Sequence, residues 1–389
     1  MIASFSIDSR SGRRLGPDIG RRVVSPAPVA DPRVHDYARL LVERSIDVQP
    51  DWQVMVISQP AARPLLEEVV RLIARRKAYP IVRFSYAMEQ LPFSWIWAKE
   101  APLETVENVA PVDQHAWDNV DAWMLLGAPE NPRAGADVPA EKREAINKAH
   151  AGFLQRRLRM EIPWVTCRFP CPALAQEAGL TNEQFEDFLF GAVLLDWDAE
   201  GEKMKRIKDR FDQATEVRIV GAETDLRFSL DGREGEVDDG HANMPGGEVF
   251  YSPVEDSTEG VVSFIEYPAY QEPDLVDGVR MRYENGKVVE ASATSNEEAL
   301  ISKLDRDEGA RILGEYGIGC NPGIQRYMKN TLFDEKMYGT IHLAVGAGLP
   351  TIGGKNVSAV HWDMVKDLRN GGRIECDGEV VQQNGEWQF

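Results

Sequence analysis

The sequence predicts an α/β domain with a mostly parallel sheet, followed by an α+β domain. Three observations lead to this prediction. The chain has 389 residues, enough for two domains of ordinary size. In the first half, short apolar runs alternate with helical patterns, which is typical of a doubly wound parallel sheet. In the second half, strand patterns follow one another closely and helical patterns are scarce.

Helices and strands alternate in the first half of the chain. Apolar residues at helical spacing predict helices at 34–47 and 62–77. A polar helix is predicted at 140–158, and residues 183–213 are also predicted to be helical. Short apolar runs predict buried strands at 53–58, 80–85, 121–127 and 163–168. No G-x-G-x-x-G turn or P-loop follows these strands, so the sequence carries no nucleotide-binding signature. We interpret this half as a scaffold or substrate-shaping domain.

Strand patterns dominate the chain after about residue 215. They cover 216–220, 225–230, 261–266, 278–284, 287–293, 339–346 and 357–368, with a final hairpin at 373–388. Asn285-Gly286 separates two of these strands and is the strongest short-range signal for a β-hairpin. One helix is predicted at 296–316. The predicted organisation is a loosely ordered extension at 1–30, the α/β domain at 31–205 and the α+β domain at 206–389.

The chain is strongly acidic. It has 44 Lys and Arg against 63 Asp and Glu, a net charge of −19. This balance argues against nucleic acid and anionic membrane surfaces as partners, because both attract basic proteins. No apolar run is long enough to span a bilayer, and no secretory signal is evident. Four scattered cysteines form no disulfide framework, so the predicted compartment is the reducing cytoplasm.

Two histidines within predicted strands are candidates for metal binding. His361 and Asp363 form an H-x-D pair, and side chains two residues apart on a strand point to the same face. His342 lies in the apolar strand GTIHLAVG. Alone, the pair is more often a surface feature and the lone histidine a satisfied core residue. Two unpaired imidazoles in one domain would be costly to bury, which favours a metal site.

Two glutamates complete the candidate ligand set. Glu248 follows a Pro-Gly-Gly turn, and Glu315 is predicted at the C-terminal end of a helix, where the helix dipole disfavours a carboxylate. Either glutamate alone is more often solvated. Three carboxylates and two imidazoles suit two divalent ions such as Zn, Co or Mn. The proposed metal ligands are Glu248, Glu315, His342, His361 and Asp363. Two such ions activate a shared water and polarise a carbonyl, which is the chemistry of peptide or amide hydrolysis.

Five segments resemble, in order, the M29 family of metallo-aminopeptidases, the aminopeptidase T type. They are TDLRFSLDGR, NMPGGEVFYSPVEDSTEG, DEGARILGEYGIG, NTLFDEKMYGTIHLAVGAG and GGKNVSAVHWDMVKDL. The resemblance implies that the family's two-metal ligands, Glu, Glu, His, His and Asp, fall on the same five positions. It also implies a homodimer that encloses a large cavity and removes N-terminal residues from short peptides.

One position departs from the family pattern H-x-x-x-G-x-x-Y. The tyrosine, thought to assist the transition state, is replaced by Leu349, which cannot donate a hydrogen bond. Tyr338 precedes His342 by four residues, about 13 Å along a strand, and would substitute only if the chain bends. Tyr338 is therefore the candidate for the replacement hydroxyl. The candidate proton carrier is Glu315, and no residue is assigned to an organic cofactor.

The sequence also fits two alternative functions. A repurposed relative would act on a non-peptide amide or only bind peptides. A mononuclear Fe(II) ring-cleaving dioxygenase, known for a relative of this fold, would use His342, His361 and Asp363 as a facial triad. The presence of Glu248 and Glu315 argues against one iron, whereas the lost tyrosine argues for changed chemistry.

Overall fold

The computed structural model describes residues 31–86, 94–271 and 274–389. The predicted extension at 1–30 lies outside the described residues. The predicted fold class is confirmed, because a parallel sheet flanked by helices is followed by a part built mainly from antiparallel sheets. Among the described residues, no helix has both the length and the apolar character needed to cross a membrane.

The first sheet has the strand order β2-β1-β3-β4-β8, and every pair in it is parallel. Its first four strands are β1 (Gln53–Ser58), β2 (Tyr79–Phe84), β3 (Ala122–Gly127) and β4 (Trp164–Arg168). The helices of this half are α1 (Pro32–Arg39, continued by a π-helical turn at Leu40–Ser45), α2 (Arg63–Arg75), α3 (Trp95–Glu100), α4 (Leu103–Val106), α5 (Pro111–Asn119), α6 (Ala140–Leu158), α7 (Pro172–Glu177), α8 (Asn182–Val193) and α9 (Trp197–Phe211).

Helices cover both faces of the first sheet. On β1, Val54 and Val56 face a core shared with α1, α2, α7 and α8, whereas Met55 and Ile57 face a second core shared with α3 to α6. Strands buried on both faces are apolar throughout, which explains why short apolar runs identified them in the sequence.

The second half adds the remaining strands and two short helices. The strands are β5 (Glu216–Gly221), β6 (Thr224–Ser229), β7 (Glu236–Asp238), β8 (Asn243–Met244), β9 (Glu248–Tyr251), β10 (Glu259–Phe264), β11 (Ala269–Gln271), β12 (Asp274–Val276), β13 (Val279–Glu284), β14 (Lys287–Ser292), β15 (Leu313–Gly319), β16 (Thr340–Gly346), β17 (His361–Asp367), β18 (Arg373–Cys376), β19 (Glu379–Gln383) and β20 (Glu386–Trp387). The helices are α10 (Glu297–Leu304) and α11 (Thr331–Asp334). The hairpin predicted at Asn285-Gly286 joins β13 to β14, with positive φ at both turn residues.

Two antiparallel sheets of the second half enclose its core. One has the order β14-β13-β10-β6-β5-β18-β19-β20, and the other, which we call the site sheet, has the order β17-β16-β15-β9-β7. Alternate residues of the site sheet, including Tyr316, Leu343 and Trp362, pack into the same core as Phe228 and Val262 of the larger sheet. The opposite face of the site sheet is therefore free to carry polar side chains.

The two halves of the chain are interleaved. Strand β8 comes from the second half but pairs with β4 of the first sheet, and Ile324 and Phe333 pack into the core of the first half. The predicted boundary at 205/206 falls inside α9. The division into two domains at that point stays a prediction.

The helix predicted at 296–316 is wrong beyond Leu304. Residues 313–319 instead form β15, which is buried on both faces, so its strand alternation is hidden in the sequence. The glycines of LGEYGIG also disfavour a helix. Two smaller corrections concern 183–213, where α8 and α9 are separate helices, and 357–368, where the strand begins at His361.

Candidate metal centre

The five predicted ligands project from one face of the site sheet. Residues directly opposite each other in antiparallel strands lie on the same face, and alternate residues along a strand do so as well. The register pairs Gly319 with Glu248, Gly317 with His342, Glu315 with Ala344, Ala344 with Asp363 and Gly346 with His361. The predicted ligands are thus brought together from four strands that are distant in sequence.

A missing side chain at position 317 makes room for His342. A Cβ atom built on Gly317 would lie 1.9 Å from Cε1 and 2.1 Å from Nε2 of the His342 ring. The imidazole occupies the volume that any other residue at 317 would fill. Glycine at this position is therefore required for the observed orientation of His342.

Glu315 lies at the centre of the cluster. Its Oε1 is 3.2 Å from Nε2 of His342, and its Oε2 is 3.0 Å from Nε2 of His361. Oδ1 of Asp363 is 3.7 Å from the same His361 nitrogen. Ligand atoms of Glu315, His361 and Asp363 all lie within 4.8 Å of one another, as residues surrounding one ion would. The sequence placed Glu315 at a helix terminus, but it lies within β15, so the helix-dipole argument does not apply to it.

Both imidazoles are oriented by main-chain carbonyls. Nδ1 of His342 is 3.1 Å from the carbonyl oxygen of Glu335, and Nδ1 of His361 is 2.9 Å from that of Ala347. Because a carbonyl only accepts, each Nδ1 carries the hydrogen and each Nε2 of a neutral ring presents its lone pair. Those lone pairs face the oxygens of Glu315, which also accept. A cation between them makes the arrangement favourable.

The electrostatics of the cluster also favour a cation beside the two imidazoles. Burial alone would lower the pKa of His342 and of His361, but the charged neighbours Glu315 and Asp363 raise both to about 10. Burial alone would raise the pKa of Glu315, but its hydrogen bonds to the two imidazoles lower it. The neighbouring carboxylates thus favour positive charge at both imidazoles, which divalent ions would supply. The donor set fits divalent cations.

A fully buried lysine closes one end of the cluster. Nζ of Lys336 donates to Oε1 of Glu248 at 2.9 Å, contacts Glu335, and lies 3.6 Å from Oδ2 of Asp238. Oε2 of Glu248 is buried, has no hydrogen-bond partner and lies 3.8 Å from Nε2 of His342. Burial raises the pKa of Glu248 to about 8, whereas the surrounding carboxylates outweigh burial and raise the pKa of Lys336. The ammonium holds one oxygen of Glu248 and leaves the other facing His342.

The structure places Tyr338 and His241 in different surroundings. The Tyr338 hydroxyl lies 3.5 Å from Glu386, and no hydrogen bond joins it to the five ligands among the described contacts. His241 is exposed and pairs with Asp239.

Leu349 lies in the loop that follows β16, and its main-chain N–H donates to Oγ of Ser252 at 2.9 Å. This N–H is therefore engaged within the fold. Position 349 supplies no hydroxyl group to the cluster.

Sequence reasoning missed the residues that support the ligands. Lys336 and Gly317 lie within the family-like segments NTLFDEKMYGTIHLAVGAG and DEGARILGEYGIG, but nothing in their spacing assigned them a role. The carbonyls of Glu335 and Ala347 are main-chain groups that any residue provides.

A buried set of carboxylates and imidazoles on such a scaffold points to the class of metal-dependent enzymes. The sequence matches, over residues 30–387, a family model described as thermophilic metalloprotease (M29). The chain belongs to the M29 family, and as a member of it is a metal-dependent peptidase, a hydrolase.

Relatives cover nearly the whole chain. It is 26% identical to Aminopeptidase 2 of Geobacillus stearothermophilus, an alignment that covers 91% of this chain and 97% of the relative. It is 32% identical to Aminopeptidase AmpS of Bacillus subtilis, covering 92% of this chain and 98% of the relative. The resemblance found in the sequence is confirmed.

Two solved structures share the fold. Wild-type AmpT from Thermus thermophilus has a TM-score of 0.79 at 23% identity, covering 92% of this chain and 99% of that one. A 2,5-dihydroxypyridine dioxygenase from Pseudomonas putida KT2440 has a TM-score of 0.59 at 15% identity, covering 92% and 98%. Because both proteins have this fold, the fold alone does not distinguish between the two kinds of chemistry.

Proposed function

We propose that this chain is an aminopeptidase that removes N-terminal residues from short peptides with a water activated by two divalent metal ions. The observation that carries the proposal is the position of Glu315 between two imidazoles, with one oxygen directed toward each. A carboxylate placed in this way suits a bridge between two ions.

The geometry suggests how the ligands divide. Glu248, Glu315 and His342 would hold one ion, and Glu315, His361 and Asp363 would hold the other. When bound, the two ions would lower the pKa of a shared water and polarise the scissile carbonyl. The carbonyl contacts at both Nδ1 atoms keep the rings in place before binding, so no reorientation is needed.

The charge balance supports two ions rather than one. Five carboxylates with little exposure meet in this region, namely those of Asp238, Glu248, Glu315, Glu335 and Asp363. If all five carboxylates are ionised and both imidazoles are neutral, the Lys336 ammonium leaves four negative charges. Two divalent ions would balance them, whereas a single Fe(II) would leave two, which buried carboxylates would have to neutralise by keeping protons.

Other parts of the proposal concern the proton and the partner. Glu315 is the candidate proton carrier as well as a ligand. Tyr338 could assist the transition state only if its hydroxyl gave up its contact with Glu386. Zn, Co or Mn as the metal, a homodimeric state, a cytoplasmic location and the absence of nucleic-acid and membrane partners belong to the same proposal.

The test combines metal analysis with a peptidase assay. We expect two Zn, Co or Mn ions per chain and hydrolysis of aminoacyl-p-nitroanilides that EDTA abolishes. His361→Ala should lose metal and activity, whereas the matched change at the exposed His115 should alter neither. One iron per chain without hydrolysis would favour the dioxygenase alternative, and metal at full occupancy in His361→Ala would refute the ligand assignment.

A further inference from the structure

A small recess adjoins the candidate metal centre on the ligand-bearing face of the site sheet. Asp363, Glu335, Val365 and Tyr327 are among its lining residues, and its volume is about 20 Å³, room for about one water-sized group. Val365 follows Asp363 on the same face of β17 and pairs directly with His342 of β16. The recess therefore begins beside two of the candidate ligands.

The aromatic wall of the recess is held by stacking and hydrogen bonds. The Tyr327 ring stacks on Tyr267 with centroids 4.9 Å apart, and its hydroxyl donates to the carbonyl of Pro268 at 2.8 Å. The Tyr267 hydroxyl in turn donates to Asp367 at 3.0 Å and accepts from Arg369 at 2.7 Å. These contacts fix the position of the Tyr327 ring in the wall of the recess.

We propose that this recess receives the side chain of the substrate's N-terminal residue and restricts the substrates to peptides that begin with Gly or Ala. The inference rests on the proposed aminopeptidase function. The carbonyl under attack must lie at the metal ions, so the side chain of the same residue lies a few ångströms away. Carboxylates of Glu335 and Asp363 at the recess also oppose an acidic N-terminal side chain.

The test compares kcat/KM for alanyl-, leucyl- and phenylalanyl-p-nitroanilide with the metal-loaded full chain. We expect alanine to exceed leucine at least ~10-fold, because excess methylenes that do not fit cost that much or more. Val365→Ala widens the recess and should raise the leucine-to-alanine ratio at least ~5-fold. The matched control is Val345→Ala, on the opposite face of the same sheet, where the ratio should not change.

The outcomes separate this inference from the function on which it rests. If the unaltered protein hydrolyses the leucine or phenylalanine substrate as well as the alanine substrate, the inference about the recess is overturned and the proposed function is not. This outcome does not depend on the stability of the variants. Equal changes of the ratio in both valine variants would overturn it as well. Hydrolysis of no nitroanilide by metal-loaded protein would overturn the proposed function, and the inference with it.

Discussion

If the site holds two metal ions as proposed, a single methyl group at position 317 should remove one of them. In Gly317→Ala, the new Cβ would lie 1.9 Å from Cε1 of His342, whereas ordinary contacts begin at 3.4 Å. The ring must therefore retreat by about 1.5 Å. Metal–ligand distances tolerate only about 0.2 Å, so His342 can no longer bind.

The effect should be confined to one half of the cluster. Glu315, His361 and Asp363 keep their positions, so we expect about one ion per chain instead of two, and loss of hydrolysis. Overpacking of this kind also costs about 1–3 kcal/mol of folding free energy. The stability loss and the metal loss are separate readouts.

The assay is metal content by mass spectrometry on purified variants, together with their urea unfolding curves. The matched control is Gly221→Ala, also a strand glycine, whose added Cβ would meet its nearest neighbours at 3.4 and 3.5 Å. It should keep both ions. Two ions at unchanged affinity in Gly317→Ala, with folding intact, would refute the assignment of His342 as a ligand.

Three further predictions concern the missing tyrosine, the pH dependence and the buried lysine. Leu349→Tyr should raise peptidase turnover, by up to about 10²–10³-fold if the hydroxyl is the only missing group, and an unchanged kcat would contradict this. Metal-free protein should lose stability between pH 6.5 and about 10. Folding raises the pKa of His342 and of His361 from 6.5 to about 10, so the protonated imidazoles stabilise the fold fully below pH 6.5, and this contribution is lost as the pH rises through about 10. Metal-loaded protein should not show that loss, and thermal unfolding with and without EDTA across this range checks it. Lys336→Met leaves buried carboxylates without their cation and should destabilise metal-free protein by about 3–5 kcal/mol. The same change at the exposed Lys205 should have little effect, and equal losses in the two variants would argue against the buried cluster.

The sequence was sufficient for the fold class, and it named five candidate ligands that the structure brings to one face of a sheet, while their binding of metal stays a prediction. Strands β1, β3 and β4 are buried on both faces, so short apolar runs identified them between the helices, whereas β2 at the edge of the sheet is only partly buried. The alternation of β17 placed His361 and Asp363 on one face, and the structure agrees. Residues of the second half that pack into the first core, such as Phe333, could not be anticipated, because such contacts depend on how distant segments meet.

The sequence by itself determined which side chains could bind metal, because donor chemistry belongs to residue types and to their spacing along a strand. The tertiary structure alone decided how those side chains meet. It moved Glu315 from an expected helix terminus to the middle of a strand, placed Lys336 against Glu248, and set Gly317 opposite His342. Each of these depends on register between strands far apart in the chain, which local periodicity does not encode.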